Sequence, residues 1–353
     1  LKNTTIRSVL NRIYVNIYIL TKRRKLWIWL GLLSIAIHFI LTFIPEFTEA
    51  VYSRGIYSVV RYMLDYTVGW LPFSLAYILT LFVVFLLVRS IANMFTNWLR
   101  FGLRVWKTEL KKLVLSWAAF AGATTFFFYL FWGYNLARVP LDETLNINTR
   151  KLSRNELLIE ANYARKMAIE ARRQVPNATD KAFGKGFLPN GLEDKMRANM
   201  EKVLDHFGYP TPGRIRCRHA WPQGFLKSMR VSGIYVPFTG EAHVDQTLSP
   251  ILTPLTMAHE MAHGFGFTSE AEANFLAYLA CEISEDPRII YSGRITLLIY
   301  ITHELWFVPM VFQKGILADL REYGIFGHDS SYSKMILLVA AWRRSKHFPL
   351  KID

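Results

Sequence analysis

Polar and apolar residues are distributed very unevenly along this chain. Three stretches read as almost unbroken apolar runs: Leu26 to Ile44, Tyr66 to Val88, and Leu113 to about Ala137. Each is close to the ~20 residues a helix needs to cross the hydrocarbon core of a bilayer, and none contains Lys, Arg, Asp or Glu. Pro72 falls inside the second run, where a membrane helix tolerates it. A single cleaved leader does not account for three such runs. The pattern predicts three transmembrane helices within residues 1–137.

After Arg138 the pattern changes. Asn155 to Gln174 reads as a charged helix stopped by Pro176, and Leu192 to Phe207 as another. Val231 to Gly240 reads as an extended strand running into a turn, with Pro237 suggesting a sheet edge. Leu255 to Gly264 and Glu270 to Ile283 again have helical character. A further apolar run, Ile295 to Phe312, is long enough to span. It holds His303 and Glu304 near its centre, where a charge is costly, so it reads as a buried helix of a soluble domain. His303 reads as a packed or surface histidine. The expected fold is therefore a mainly α membrane protein, with a helix-rich α+β soluble domain over residues 138–353.

Charge adds orientation. The net charge of +15 sits largely beside the apolar runs. Lys2, Arg7, Arg12, Lys22, Arg23, Arg24 and Lys25 precede the first run; Arg89, Arg100, Arg104, Lys107, Lys111 and Lys112 separate the second from the third. The stretch between the first two, Pro45 to Asp65, has only Arg54 and Arg61 against Glu46, Glu49 and Asp65. The positive-inside rule then makes the N-terminus cytoplasmic and places residues from 138 onward across the membrane. Basic residues so placed are topology signals and phospholipid contacts. With no recognition motif beside them, they do not point to nucleic acid. The two cysteines, Cys217 and Cys281, exclude a cysteine-rich metal module. One bridge and two separate buried thiols both remain open.

The chemistry concentrates in His259-Glu260-Met261-Ala262-His263. Residues four apart on a helix project from one face, so the two histidines can hold one cation between them. Glu260 lies about 100° round the helix, beside the open coordination position, where it can take a proton from a metal-activated water. Pro254 fits a helix start, and Gly264 and Gly266 permit a sharp turn after the motif. A catalytic zinc needs a third protein ligand, and Glu270 supplies it, with Asn274 on the same face to orient a ligand histidine. Glu272 points elsewhere and reads as a surface or structural carboxylate. Cys281 continues the Glu270 face but reads as packing. Two histidines and a carboxylate favour Zn²⁺, though iron, cobalt or manganese suit similar ligands.

The Glu-x-x-Ala-Asn pattern following H-E-x-x-H resembles the third-ligand helix of gluzincin metallopeptidases. The whole chain resembles an uncharacterised bacterial membrane family, domain of unknown function 3810. That resemblance is carried by Phe131-Trp-Gly-Tyr-Asn-Leu-Ala-Arg138, by Gly233-Ile-Tyr-Val-Pro-Phe-Thr-Gly-Glu-Ala242, and by Ala258 to Gly266 continuing through Glu270 to Cys281. It implies a zincin-like domain behind three spans in a bacterial inner membrane, with that domain periplasmic, but it names no substrate. Gly264 and Phe265 stand where relatives are expected to carry polar residues, which would change the pocket rim. By the same analogy Tyr235 to Glu241 is an edge strand that can pair an extended peptide. His243, His328 and Tyr332 are the candidates to stabilise an oxyanion, with Tyr332 preferred because Ser330 to Ser333 resembles a family stretch. The expected function is a membrane-anchored zinc peptidase with Glu260 as general base. The alternatives are an inactive or structural zinc scaffold and a zinc hydrolase of peptidoglycan peptides.

Overall fold

The fold is seen in a computed structural model that describes residues 2–305, 313–322, 331–345 and 348–350; for residues 2–21, 101, 103–105, 185 and 331–332 only the backbone is described. Three helices are long and apolar enough to cross a membrane, within Lys22–Leu41, Leu75–Arg100 and Trp106–Phe131. The first belongs to α1 (Lys2–Leu41), after which come the short α2 (Pro45–Phe47) and α3 (Tyr57–Leu64). The other two belong to α4 (Leu75–Phe101) and α5 (Leu103–Phe131).

Their bounds differ from the sequence expectation for local reasons. The second apolar helix begins at Leu75, not 66. Pro72 lacks an N–H and keeps the residue before it out of helical geometry, so it lies in a break, and Ser74 caps the new helix by accepting from Ala76 N at 3.2 Å. The helix then runs past Val88 until Gly102, at φ +63°, turns the chain into α5. The basic residues from Arg89 to Lys112 therefore lie on two helices of a hairpin rather than in a loop. The third apolar helix stops at Phe131, and Gly133–Ala137 tightens into a 3₁₀ turn. The first stops at Leu41, short of Ile44. α1 and α5 pack in parallel through Gly31 and Gly122. A Cβ on Gly122 would lie 2.4 Å from Trp27 O, so only glycine permits this backbone approach.

The stretch between the first two apolar helices is not a free loop. From 45 to 69 it is continuously helical, with π-type turns at Thr48–Ile56 and Asp65–Gly69 on either side of α3. The wider π turn sets Tyr52 and Tyr57 in line, and Arg61 follows one α turn later. All three are buried. The opposite face, including Val59, Met63 and Tyr66, is exposed and apolar. The buried face rests on the C-terminal half: Arg61 donates to Gly240 O, and Asp65 accepts from Arg214 N. Residues 45–74 thus pack on the C-terminal half that begins after Arg138.

The C-terminal half is built of α6 (Leu141–Thr144), α7 (Arg154–Gln174), α8 (Leu192–His206), a small sheet with α9 (Phe225–Ser228), then α10 (Thr253–Gly264), α11 (Glu270–Glu282), α12 (Pro287–Glu304), α13 (Lys314–Glu322) and α14 (Ser331–Arg344). Ser153 and Glu156 close a capping box at the start of α7. Its alanines 161, 164, 168 and 171 then form the buried stripe that packs on α12. α11 is buried from Ala271 through Cys281 and lies among α8, α10, α12 and α14. The apolar run from Ile295 falls in the second half of α12, which already begins at Pro287; as far as Glu304 it is a core helix as expected, and residues 306–312 of that run lie outside the described residues.

The three strands are β1 (Cys217–Ala220), β2 (Gly233–Val236) and β3 (Glu241–Asp245), in the order β1-β3-β2. β3 is central, parallel to β1 and antiparallel to β2. The single strand expected over 235–241 is instead a hairpin: Val236 pairs with Glu241, and the residues between them turn. β1 and β2 are the two edge strands.

Candidate metal centre

α10 starts at its Pro254 turn and buries Leu255, Ala258, Met261 and Ala262, leaving His259 and His263 to face the start of α11. The chain reverses at once: Phe265 N bonds Met261 O, Gly266 N bonds His263 O, and Phe267 N bonds Ala262 O. This tight return has two effects on the site. It brings Phe267 O to 2.7 Å from His263 Nδ1, and it sets Glu270 opposite both histidines.

The last carbonyls of a helix have no partner within it, and here they find donors from far along the chain. Trp132 Nε1–H donates to His263 O at 2.8 Å and Tyr57 O–H to Gly264 O at 2.6 Å. Arg138 donates to Gly266 O at 3.0 Å while also pairing with Glu49. Its cationic charge at a helix C-terminus complements the helix dipole. The helix carrying the two histidines is thus clamped by the segment between the first two apolar helices and by the turn after α5.

The three expected ligands come together. His259 Nε2 lies 3.0 Å from His263 Nε2 and 3.1 Å from a Glu270 oxygen, and His263 Nε2 lies 3.4 Å from the other oxygen. Donors bound tetrahedrally at ~2.0–2.1 Å from a zinc ion stand about 3.3 Å apart. A hydrogen bond from His263 Nδ1–H to Phe267 O leaves the Nε2 lone pair directed at His259, an approach that needs a proton or a cation between the rings. The donor set fits a small divalent metal. The Glu270 carboxyl is held well below its usual range by its hydrogen bonds to His259 and His263. For His263, burial pulls the imidazole down, but the bond to Glu270 and the charges of Glu260 and Glu270 outweigh it, leaving a net rise.

Glu260 is buried behind this triad. Burial, opposed by His259 and His263, pushes its carboxyl up, which suits a group that must accept a proton. Edge strand β2 lies against it. A Cβ on Gly233 would stand 2.5 Å from Glu260 Oε1, so glycine is what lets the strand come this close. Between them opens a cleft of about 260 Å³, lined by His259, Glu260 and Glu270, by Arg230 to Gly233, and by Thr256, Asn274 and Tyr300.

The other candidates divide. Asn274 lines the cleft one turn after Glu270, but Phe267 O is what holds His263, and His259 Nδ1 is buried with no hydrogen bond. Glu272 is no surface group: it is buried and accepts from Leu141 N at 3.0 Å. His243 faces away from the cleft, with its Nε2 2.9 Å from Ser74 Oγ at the start of α4, which removes it as an oxyanion donor. His328 and the side chain of Tyr332 lie outside the described residues. Gly264 and Phe265 do not form the rim; both are buried, and Gly264 packs on Ile215. Cys217 and Cys281 are free and buried, with Cys281 packed against Gly293 of α12. Sequence reasoning missed Tyr57, Trp132, Arg138, Gly233 and Arg230 as parts of the site. Trp132, Arg138 and Gly233 did lie in the stretches that carried the family resemblance.

Residues 52–322 match the model of a family described as Protein of unknown function (DUF3810). The match starts inside the helical stretch between the first two apolar helices, so it includes the clamp as well as the triad. No curated protein and no solved structure matches the chain.

Proposed function

The chain belongs to that family, and we propose that it is a membrane-anchored zinc-dependent metallopeptidase that hydrolyses peptide bonds on the periplasmic side of a bacterial inner membrane. The observation that carries this reading is the convergence of His259, His263 and Glu270 at 3.0–3.4 Å, with the buried Glu260 beside them and an edge strand against it. A purely structural site has no use for Glu260.

His259 Nε2, His263 Nε2 and a Glu270 oxygen would hold the ion. When bound, zinc supplies a Lewis acid that brings the pKa of a water to about 7. The outer edge of β2 offers its main chain to an extended peptide, aligning it along the cleft. Glu260 takes a proton on its carboxylate, favoured by the burial that raises its pKa, and returns it to the leaving amine. Phe267 O fixes the His263 tautomer throughout.

Metal analysis of detergent-purified protein tests the site first. About one zinc per chain is expected, lost in His263→Ala and Glu270→Ala. Glu260→Gln should keep the zinc and lose cleavage of a peptide library by about 10²-fold or more. A Glu260→Gln protein that cleaves like the wild type removes the catalytic reading.

A further inference from the structure

Large apolar side chains are exposed in few places on the C-terminal half. Of the seven so exposed among described residues 138–350, five fall between 221 and 234: Trp221 (69%), Phe225 (48%), Met229 (50%), Val231 (38%) and Ile234 (43%). The other two are Ile159 and Phe348. A concentration of this kind marks a surface with a partner.

The position of the stretch says which partner. Trp221 N–H donates to the Tyr77 hydroxyl at 2.7 Å, and Tyr77 sits in the first turn of α4. Arg218, three residues earlier, donates to Leu71 O and Pro72 O, just ahead of that helix. Glu241 accepts from Leu75 N and Ala76 N at its very start. The candidate span in α4, Leu75–Arg100, is 26 residues, about 39 Å at 1.5 Å per residue, which exceeds the ~30 Å hydrocarbon core. The excess lets its first turn, whose N–H groups are taken by the Glu241 carboxylate, stand in the headgroup layer, where tyrosine and tryptophan are favoured. Trp221 is tied to that depth. The helical stretch 45–69 gives a second reference, since its exposed face, opposite Tyr57 and Arg61, presents Val59, Met63 and Tyr66. This is the arrangement of a helix lying in the interface. Among the apolar side chains of the 221–234 stretch, Lys227 and Arg230 are exposed, as suits a surface carrying anionic headgroups.

The end of the same stretch, beyond Phe225 and Met229, forms part of the mouth of the metal cleft. Arg230, Val231, Ser232 and Gly233 line it, directly after Met229. We propose that residues 221–234 are immersed in the headgroup layer of the bilayer, so that the cleft opens at the membrane surface and takes a polypeptide held there. The immersion depends on α4 being a span. The substrate class rests in addition on the peptidase reading.

Full-length zinc-loaded protein in vesicles of phosphatidylethanolamine and phosphatidylglycerol tests both halves. Phe225→Cys and Met229→Cys are spin-labelled, Cys217 and Cys281 being buried, with Lys166→Cys on α7 as the aqueous control. The two stretch labels should be more accessible to oxygen than to a water-soluble nickel complex, and the control the reverse. Labels that report water overturn the immersion. Labels shielded from both probes place a protein surface there, such as a second copy of the chain, and overturn it too. For the substrate, peptides are tethered to lipid with the same sequence set about 6 or about 15 residues from the anchor, roughly 20 or 50 Å when extended. A cleft at the surface cleaves the short-tethered peptide at least as fast as the long one. Phe225→Glu with Met229→Glu should slow that cleavage about tenfold while sparing free peptide in detergent. Cleavage of the long-tethered peptide alone overturns the substrate class. Cleavage of neither form, nor of free peptide, with the labels still immersed, defeats the peptidase reading and leaves the docking surface standing.

Discussion

The helix that carries the two histidines is held in two quite different ways on its two sides. Toward the apolar helices it meets directional polar contacts: Trp132 on His263 O, Tyr57 on Gly264 O, and Arg138 on Gly266 O. Behind these stands Arg61, fully buried, which binds Asp65 at 2.7 Å and Gly240 O at 3.0 Å and lies 3.3 Å from the Tyr235 hydroxyl. On the far side, α8 and α11 pack against it, and their Met196, Met200, Leu204, Phe275 and Leu276 are fully buried in the shared core. The deep ion pair of that side, Arg172 with Asp319, joins α7 to α13. Apolar area is non-directional and stabilises a fold without fixing an atom, whereas hydrogen bonds to named carbonyls fix register. The membrane-proximal side should thus set the metal geometry, and the distal side should set stability.

The largest expected effect is at Arg61. Arg61→Ala removes the cation from the half-buried Asp65, which keeps only Arg214 N, takes the donor from the buried Gly240 O and empties a fully buried site, and should cost about 3 kcal/mol or more. Because Arg61 braces the β2–β3 turn and the clamp together, zinc affinity of the folded fraction should fall on the order of tenfold. Chelator competition on the folded protein measures it. An Arg61→Ala protein that unfolds more easily but binds zinc as tightly as the wild type erases the distinction between the two sides. Met200→Ala probes the other side. A buried methionine truncated to alanine should lose about 3 kcal/mol in denaturant unfolding. Zinc affinity per folded molecule should stay within about twofold, since the residue shares no hydrogen bond with the ligands. A matching loss of zinc would show that the distal shell also positions the site.

These two sides were unequally legible in the sequence. The distal side and the triad are local patterns: alanines at helical spacing in α7, the His259–His263 pair four residues apart, and Glu270 with Asn274 one turn apart. The clamp is not local. Tyr57 and Gly264 are 207 residues apart, and nothing in the stretch 45–69 marks one face of it for burial against a later domain. Its scatter of apolar and charged residues reads as a short loop between spans until the π turns align Tyr52 and Tyr57. The second span was misplaced for a related reason. Hydropathy does not register that Pro72 and Ser74 stop one helix and start another. His243 and the pocket rim were misjudged because period alone does not say which face of a short strand, or which side of a turn, meets the cleft.

A smaller effect should come from Trp132→Phe, which keeps one aromatic ring but removes the indole's second ring together with its N–H. The cost to stability is about 1–2 kcal/mol, the net value of a hydrogen bond plus some lost packing. The informative number is its ratio to the change in zinc affinity. On the membrane-proximal side even this mild change should loosen zinc severalfold, whereas Met200→Ala removes more stability and leaves zinc alone. Equal ratios for the two variants would mean that zinc binding simply follows overall stability.

The smallest effect tests whether polar contacts matter wherever they occur or only beside the metal helix. Asp286 caps α12 on Arg288 N and pairs with Arg288 and with Lys195 of α8, whose side chain is 45% exposed. Hydrogen bonds from Arg288, with a smaller contribution from Lys195 and against some burial, hold its carboxyl at about 2. A depressed carboxylate stabilises the fold above its ordinary unfolded value near 3.9 and loses that contribution as pH falls through about 2. Asp286→Asn keeps a capping oxygen and removes the charge. At neutral pH it should cost only about 0.5 kcal/mol, because solvent reaches Arg288 and Lys195 and screens both pairs, and zinc affinity should not move. Between about pH 4 and 2 the wild type should lose stability relative to the variant until the two converge. If Asp286→Asn instead weakened zinc as Trp132→Phe does, polar contacts on the distal side would also reach the metal, and direction alone would not separate the two sides of α10.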